Sequence, residues 1–464
     1  MNVAIEYAGV ADVHGPLLVV QGVDGVGWDE FARIRIGSGE TRHGLVLEVD
    51  RDLAIVQVLE GTDGIEPSAT SVSFDGAPLR IPVGSGWLGR VCNGRGEPID
   101  GGPPILGDTD AAVNGFALNP TRRDPPAEPV ITGVSAIDGL TTLVRGQKLP
   151  VFSVAGLPHL TLATQIAAQA SVVGEPFSVV VAGMGLTHAD AAAARDALEV
   201  RSAAGELVLL LNTADDPVVE RILTPRIALT IAEHLAFTLE RHVLVVMADM
   251  TNYCEALREV SAARGEVPAR HAYPGYLYSD LASLYERCGR IRNTPGSVTI
   301  IPLLTMPGGD ITHPVPDLTG YITEGQIVLA ADAFARGVYP PIEPLSSLSR
   351  LMRHGAGAGR TREDHLDVAA QALAALARAR DVRELAELVG TAALSETDRR
   401  YIDFEEAFSQ QVLLQRPDER RTIEDTLDRI WQVLSVLPRR ELSMLSDAQL
   451  AAHLPRADPS GDHG

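Results

Sequence analysis

Five apolar runs punctuate the middle of the chain: Val151–Val154, Phe177–Ala182, Leu207–Asn212, Val243–Ala248 and Val298–Met306. Polar residues hardly interrupt them, as expected of parallel strands whose sheet is covered on both faces. Between them lie helical stretches, Leu160–Ala170, Ala189–Ala203 and Val218–Glu240. Strand–helix alternation on this scale predicts right-handed βαβ units and an α/β core. Residues 1–70 read differently. Leu45–Val49 and Leu53–Leu59 are short β-branched runs with Asp50-Arg51-Asp52 between them, and turn signals such as Asp24-Gly25 and Gly37-Ser38-Gly39 recur closely. That pattern predicts a small barrel or sandwich. Residues 84–130, rich in Gly and Pro, read as an ordered, loop-rich lead-in because apolar residues keep interrupting them.

After Pro340-Pro341 and Pro344 the pattern turns helical. Three helix starts carry a cap-like spacing: Thr361 with Asp364, Ser395 with Asp398, and Thr422 with Asp425. Ile423, Leu427, Ile430, Trp431 and Leu434 form one apolar stripe, read as core packing. Arg456–Gly464 reads as a disordered tail.

Length and charge narrow the classes. The 464 residues suggest roughly three domains at about 150 residues each. A hydrophobic share of 45% with 22% charged residues excludes fibrous and disordered classes. The formal net charge of −22 argues against a nucleic-acid partner. Met1–Val10 has no basic lead ahead of an apolar run, so no signal peptide is expected. The longest apolar runs fall far short of the ~18 residues of a membrane span. Cys92, Cys254 and Cys288 fit neither a disulfide framework nor a zinc site, which points to a reduced, cytoplasmic setting. Lys148 is the sole lysine, so any chemistry that needs one must use it.

Ligands of a parallel α/β sheet bind at the carboxyl ends of its strands. There, residues 153–160 occupy the place and length of a P-loop, G-x-x-x-x-G-K-[ST]. That loop needs glycines to wrap phosphate, a lysine for its charge and a hydroxyl for magnesium. The chain instead has Ser153, Val154, Ala155, Gly156, Leu157, Pro158, His159 and Leu160. Pro158 also removes a backbone donor, and Lys148 lies ahead of the strand. The next strand end leads into Leu186-Thr187, where a carboxylate would be needed to orient an attacking water. Asp249 ends Val243–Ala248 as a metal-holding acid would, but a helix-capping role is the stronger expectation. The loop has the position of a P-loop without its chemistry.

From roughly residue 40 to 440 the sequence resembles the B subunits of V/A-type rotary ATPases and ATP synthases. The resemblance is carried by Leu143-Val144-Arg145-Gly146-Gln147-Lys148-Leu149-Pro150, by Asp249–Arg258, by Tyr273-Pro274-Gly275-Tyr276, by Ile311–Gln326 and by Ser347-Leu348-Ser349-Arg350-Leu351-Met352. It implies an α/β core with a RecA-like parallel sheet and a degenerate loop, an N-terminal β-barrel and a C-terminal helical bundle. The expected bounds are 1–70, 71–350 and 351–464. It also implies a non-catalytic, regulatory subunit that alternates with the catalytic A subunit in a ring around a central rotor stalk. Peripheral stalk subunits and a membrane ion-translocating sector, contacted indirectly, complete the expected partners, with the head peripheral to the cell membrane.

By its place in Ser-Leu-Ser-Arg, Arg350 corresponds to the family's arginine finger, reaching into the A subunit's ATP site, and Ser349 stands beside it at the nucleotide. A guanidinium stays charged and can donate two parallel hydrogen bonds to phosphate. No cofactor is expected on this chain alone; Mg-ATP or ADP would lie at the interface with A. The family usually has Gly-Ser-Gly at 154–156 and Asn at 160, so even a regulatory nucleotide site at this loop is not expected. His159 matches the family, as do Thr361, Arg362 and Glu363. Two other readings share the architecture: a self-contained ring motor, helicase or export ATPase, and a structural ring spacer.

Overall fold

The computed structural model describes residues 5–454, so the tail expected at Arg456–Gly464 lies outside the described residues. The chain divides into two compact units. The first holds residues 1–124, 176–305 and 310–322, and the second residues 125–175, 306–309 and 323–464.

The first unit begins with an antiparallel sheet curled into a barrel. Its spatial order is Glu6–Tyr7, Ser71–Pro78, Glu30–Arg35, Thr41–Asp50, Leu53–Val58, Leu17–Gln21 and Val10–His14. Alternation decides its interior. Ala54, Val56 and Val58 point inward to join Leu18, Val20, Ile34 and Val72 in a fully buried core. The same unit carries parallel strands in the order Ser297–Thr305, His242–Ala248, Phe177–Leu186, Leu207–Thr213 and Val91–Asn93. His242–Ala248 is buried at every position, as its apolar run predicts. Helices His188–Ala203, Val218–Phe237 and Met250–Ala263 pack on these strands.

In the second unit Val151–Ser153 pairs in parallel with Gly325–Val328, which pairs antiparallel with Leu348–Ser349. Gly325 is a packing necessity. Its φ is +142°, and a Cβ there would collide with the Leu348 carbonyl. The C-terminal helices are His365–Val389, Glu396–Phe408 running on into a π-helical turn, Ile423–Leu434 and Asp447–His453. Every residue of the stripe on Ile423–Leu434 is buried. Arg421, 6% exposed, closes that π turn by donating to the carbonyls of Val412 (2.8 Å) and Leu414 (2.6 Å).

Ser395 and Thr422 cap their helices as expected, each accepting from the backbone three residues on. Thr361 does not. The helix starts at His365, and Thr361 Oγ1 instead accepts from Gly357 N (2.8 Å) and bonds the buried His365 Nδ1 (2.9 Å). Asp364 precedes the helix in αR conformation, its carboxylate held by Arg362 and Trp431, so it offers no cap.

Candidate functional site

The residues at 153–160 close on themselves. Ser153 is fully buried, and its carbonyl accepts from Met306 N (2.7 Å). Leu157 turns inward at 7% exposure. Pro158 precedes the helix His159–Gln169 with no side-chain cap. His159 bonds back through Nδ1 to the Leu157 carbonyl (3.0 Å), which also accepts the His159 N–H (2.9 Å). A phosphate cradle needs successive N–H groups facing outward from a helix start. Here one donor is absent and another is spent locally, so the residues present do not fit a nucleotide phosphate.

Asp249 is equally committed. It N-caps Met250–Ala263 through Thr251 N (2.7 Å) and accepts from Thr305 N (3.2 Å) and Thr305 Oγ1 (2.5 Å). Leu186 is buried, and Thr187 caps the helix that follows. The structural role expected for Asp249 is the one it has.

The turn at 347–352 is built in the opposite sense, with backbone fixed and cation free. Ser347 donates to the Glu343 carbonyl (2.7 Å) and accepts from Val328 N (2.9 Å). Ser349 Oγ donates to the Thr142 carbonyl (3.2 Å) and accepts from Gln147 Nε2 (2.9 Å). Gln147 is fully buried; its Nε2 also reaches the Glu324 carbonyl (3.1 Å), and its Oε1 accepts from Val144 N (2.9 Å). Arg350 N donates to that same Glu324 carbonyl (3.0 Å). Glu324 is itself clamped, its carboxylate pairing with Lys148 Nζ at 2.6 Å and accepting from Lys148 N at 2.8 Å.

The sole lysine is therefore a buried strut of the Arg350 turn. The Arg350 side chain is exposed and makes one long hydrogen bond, Nη1 to the Thr323 carbonyl at 3.4 Å. No carboxylate among the described residues pairs with it. A charged fork on a rigid, solvent-facing turn suits an anion brought to it from outside.

Helix Ser135–Leu140, which leads to Thr142, is held by a buried acid. Asp138 accepts from Thr132 N (2.9 Å), Thr132 Oγ1 (2.7 Å) and Gly133 N (2.8 Å). Burial outweighs these bonds and pushes its carboxyl up to about 6. Gln147, Thr142 and Glu324 were invisible as site residues in the sequence. Gln147 and Glu324 fall within motif runs quoted above, which was the available signal.

The family description "ATP synthase alpha/beta family, nucleotide-binding domain" matches residues 133–349. "C-terminal domain of V and A type ATP synthase" matches 354–454, and "ATP synthase alpha/beta family, beta-barrel domain" matches 10–76. A curated relative, the B subunit of the A-type ATP synthase of Aeropyrum pernix, is 53% identical over 453 residues, covering 97% of this chain and 98% of the relative. The chain belongs to the family of A-type ATP synthase B subunits. A solved structure of NeqB, an ATP synthase subunit from Nanoarcheaum equitans, superposes with a TM-score of 0.72 at 37% identity. It covers 90% of this chain and 98% of the other. The β-barrel, nucleotide fold and C-terminal helices are thus the family's own arrangement. No described helix is long and apolar enough to cross a membrane.

Proposed function

We propose that this chain is the non-catalytic, regulatory member of a rotary ATP synthase head that drives, or is driven by, proton or sodium transport. It alternates with the catalytic A subunit and presents Arg350 in trans to the A subunit's nucleotide. The proposed division is a barrel to residue 70, a nucleotide fold over 71–350 and a helical bundle from 351. Central and peripheral stalk subunits and, indirectly, the membrane sector are the further partners, with the head peripheral to the cell membrane.

The observation that carries this reading is a contrast within one unit: a phosphate loop without its lysine, hydroxyl and cradle, and, on a pinned turn, an arginine that pairs with no carboxylate among the described residues. Mg-ATP bound by A would supply the reacting phosphoryl group. Arg350 would stabilise charge on it, a role worth about 10³–10⁵ in rate in other NTPases. Ser349, fixed by Gln147 and Thr142, sets the turn beside it. Rotation of the stalk would then open and close the A–B interfaces in turn, changing how tightly nucleotide is held.

The test is steady-state ATP hydrolysis by the complex with the A partner. This chain alone should be inactive, and Arg350→Ala should lower the complex's turnover at least about a hundredfold, about 3 kcal/mol of barrier. Normal turnover by the variant complex would leave Arg350 a bystander and favour the spacer reading. Robust turnover by the chain alone would mean a self-contained motor.

A further inference from the structure

The turn that leads into strand Glu30–Arg35 places an acid whose charge is not answered. Asp29 takes a left-handed φ of +65°, a conformation that Asp tolerates, and its N–H donates to the Val46 carbonyl (2.8 Å). Its side chain lines a cavity of about 770 Å³ in the first unit. Oδ2 accepts from Asn114 Nδ2 at 2.5 Å, whereas Oδ1 carries no hydrogen bond among the described residues and is still reached by solvent. No cation among the described residues pairs with the carboxylate. Burial raises it above the ordinary value, outweighing the Asn114 bond and the Arg226 charge.

The other charged groups of the lining are already matched. Arg226 Nη2 meets Asp280 Oδ1 at 2.5 Å, and Arg264 meets Glu266 at 2.8 Å and Glu48 at 3.5 Å. Ser279 and Ser283 turn their hydroxyls back onto backbone carbonyls, those of Tyr276 (2.9 Å) and Asp280 (2.6 Å). Two cations thus face four carboxylates, and Asp29 is the one left over. An anion entering here would meet that excess of negative charge.

The remaining walls select the kind of cation. Leu45, Leu223, Leu257 and Val260 are apolar, and Trp28 and Phe116 stand 75% and 88% exposed at the lining. Such walls cannot replace the water shell of a compact metal ion, and among the described residues no three His, Cys, Asp or Glu side chains could hold one. An organic ammonium is different. Apolar walls favour its carbon body, and aromatic faces attract its charge. The volume lies in the range of small-molecule sites, which pair apolar walls with a few placed polar groups.

We propose that this cavity binds a small organic cation, an ammonium on an apolar body, with the charge at Asp29 and the body against Trp28 and Phe116. The probe is 4-phenylbutylamine, compared with 4-phenylbutanol, which keeps the body and lacks the charge. Both are titrated by calorimetry and fluorescence into the full chain and into the complex with the A partner.

Expected is saturable binding of one amine per copy, with a change in the emission of Trp28, since Trp87 and Trp431 are buried. The alcohol should bind at least about tenfold more weakly, the worth of one charge-assisted hydrogen bond. Asp29→Asn should weaken the amine by a similar factor and leave the alcohol unchanged. Phe116→Ala, at a surface position, should weaken the amine about fivefold. Non-saturable binding would overturn the site. Equal affinity for amine and alcohol in the wild-type chain would overturn the cation reading without recourse to any variant. An Asp29→Asn chain that binds the amine as wild type does would overturn the role of Asp29. Loss of the amine on assembly would overturn the small-molecule reading and make the cavity a partner-subunit contact.

Discussion

Two turns of the second unit, 153–160 and 347–352, spend their polar groups in opposite ways. In the first, polar capacity is spent inside the turn: His159 bonds the Leu157 carbonyl, and Pro158 has no donor. In the second, it is spent on fixing the backbone, through Gln147, Thr142 and Glu324, while the Arg350 guanidinium remains available. The difference teaches that a nucleotide fold without a nucleotide loop still offers a rigid frame. A rigid frame is what a charged group needs to act at a distance without first paying to be ordered.

Arg350→Ala is the sharpest break of this contrast, with its loss of about a hundredfold or more in the assembled complex. Next is Lys148→Met, which strands the Glu324 carboxylate. Because Glu324 keeps 27% exposure, the expected loss is about 2 kcal/mol of stability, below the 3–5 of fully buried pairs, measured by denaturant unfolding of the isolated chain. Gln147→Leu removes the bonds to Ser349 and Glu324 with similar volume. It should lower kcat of the complex roughly fivefold with KM nearly unchanged, as expected of a group that positions Arg350. A KM change with kcat intact would place Gln147 in nucleotide binding instead. The smallest effect sharpens the other side. His159→Ala should leave turnover within about twofold, whereas a tenfold loss would mean that the 153–160 loop takes part after all.

Much of this was legible along the chain, for local reasons. The strands Phe177–Leu186, Leu207–Thr213, His242–Ala248 and Ser297–Thr305 announced themselves because burial on both faces demands unbroken apolar runs. The loop's lost chemistry was equally legible, since a missing lysine, hydroxyl and N–H are facts about residues and not about packing. Ser395 and Thr422 cap as their spacing implies. Thr361 carries the same spacing and fails, because its hydroxyl is claimed by Gly357 and His365, and the Asp364 carboxylate by Arg362 and Trp431. Competition for a hydrogen-bonding group is settled by which neighbours arrive, and Trp431 lies 67 residues away.

The sequence by itself determined the element types, the missing lysine and hydroxyl of the 153–160 loop and the motif that singles out Arg350. Each depends on side-chain chemistry or on periodicities of a few residues. The tertiary structure alone decided what holds Arg350 in place and where Gln57 lies. Gln147 meets Ser349 across 202 residues of chain, and Lys148 reaches Glu324 across 176. Gln57, one position in an outward-facing row of a strand, ends at 5% exposure with no partner for its Nε2 among the described residues. Hydrogen bonds and cavities of this kind arise from the convergence of distant segments, a property of topology that no local pattern encodes.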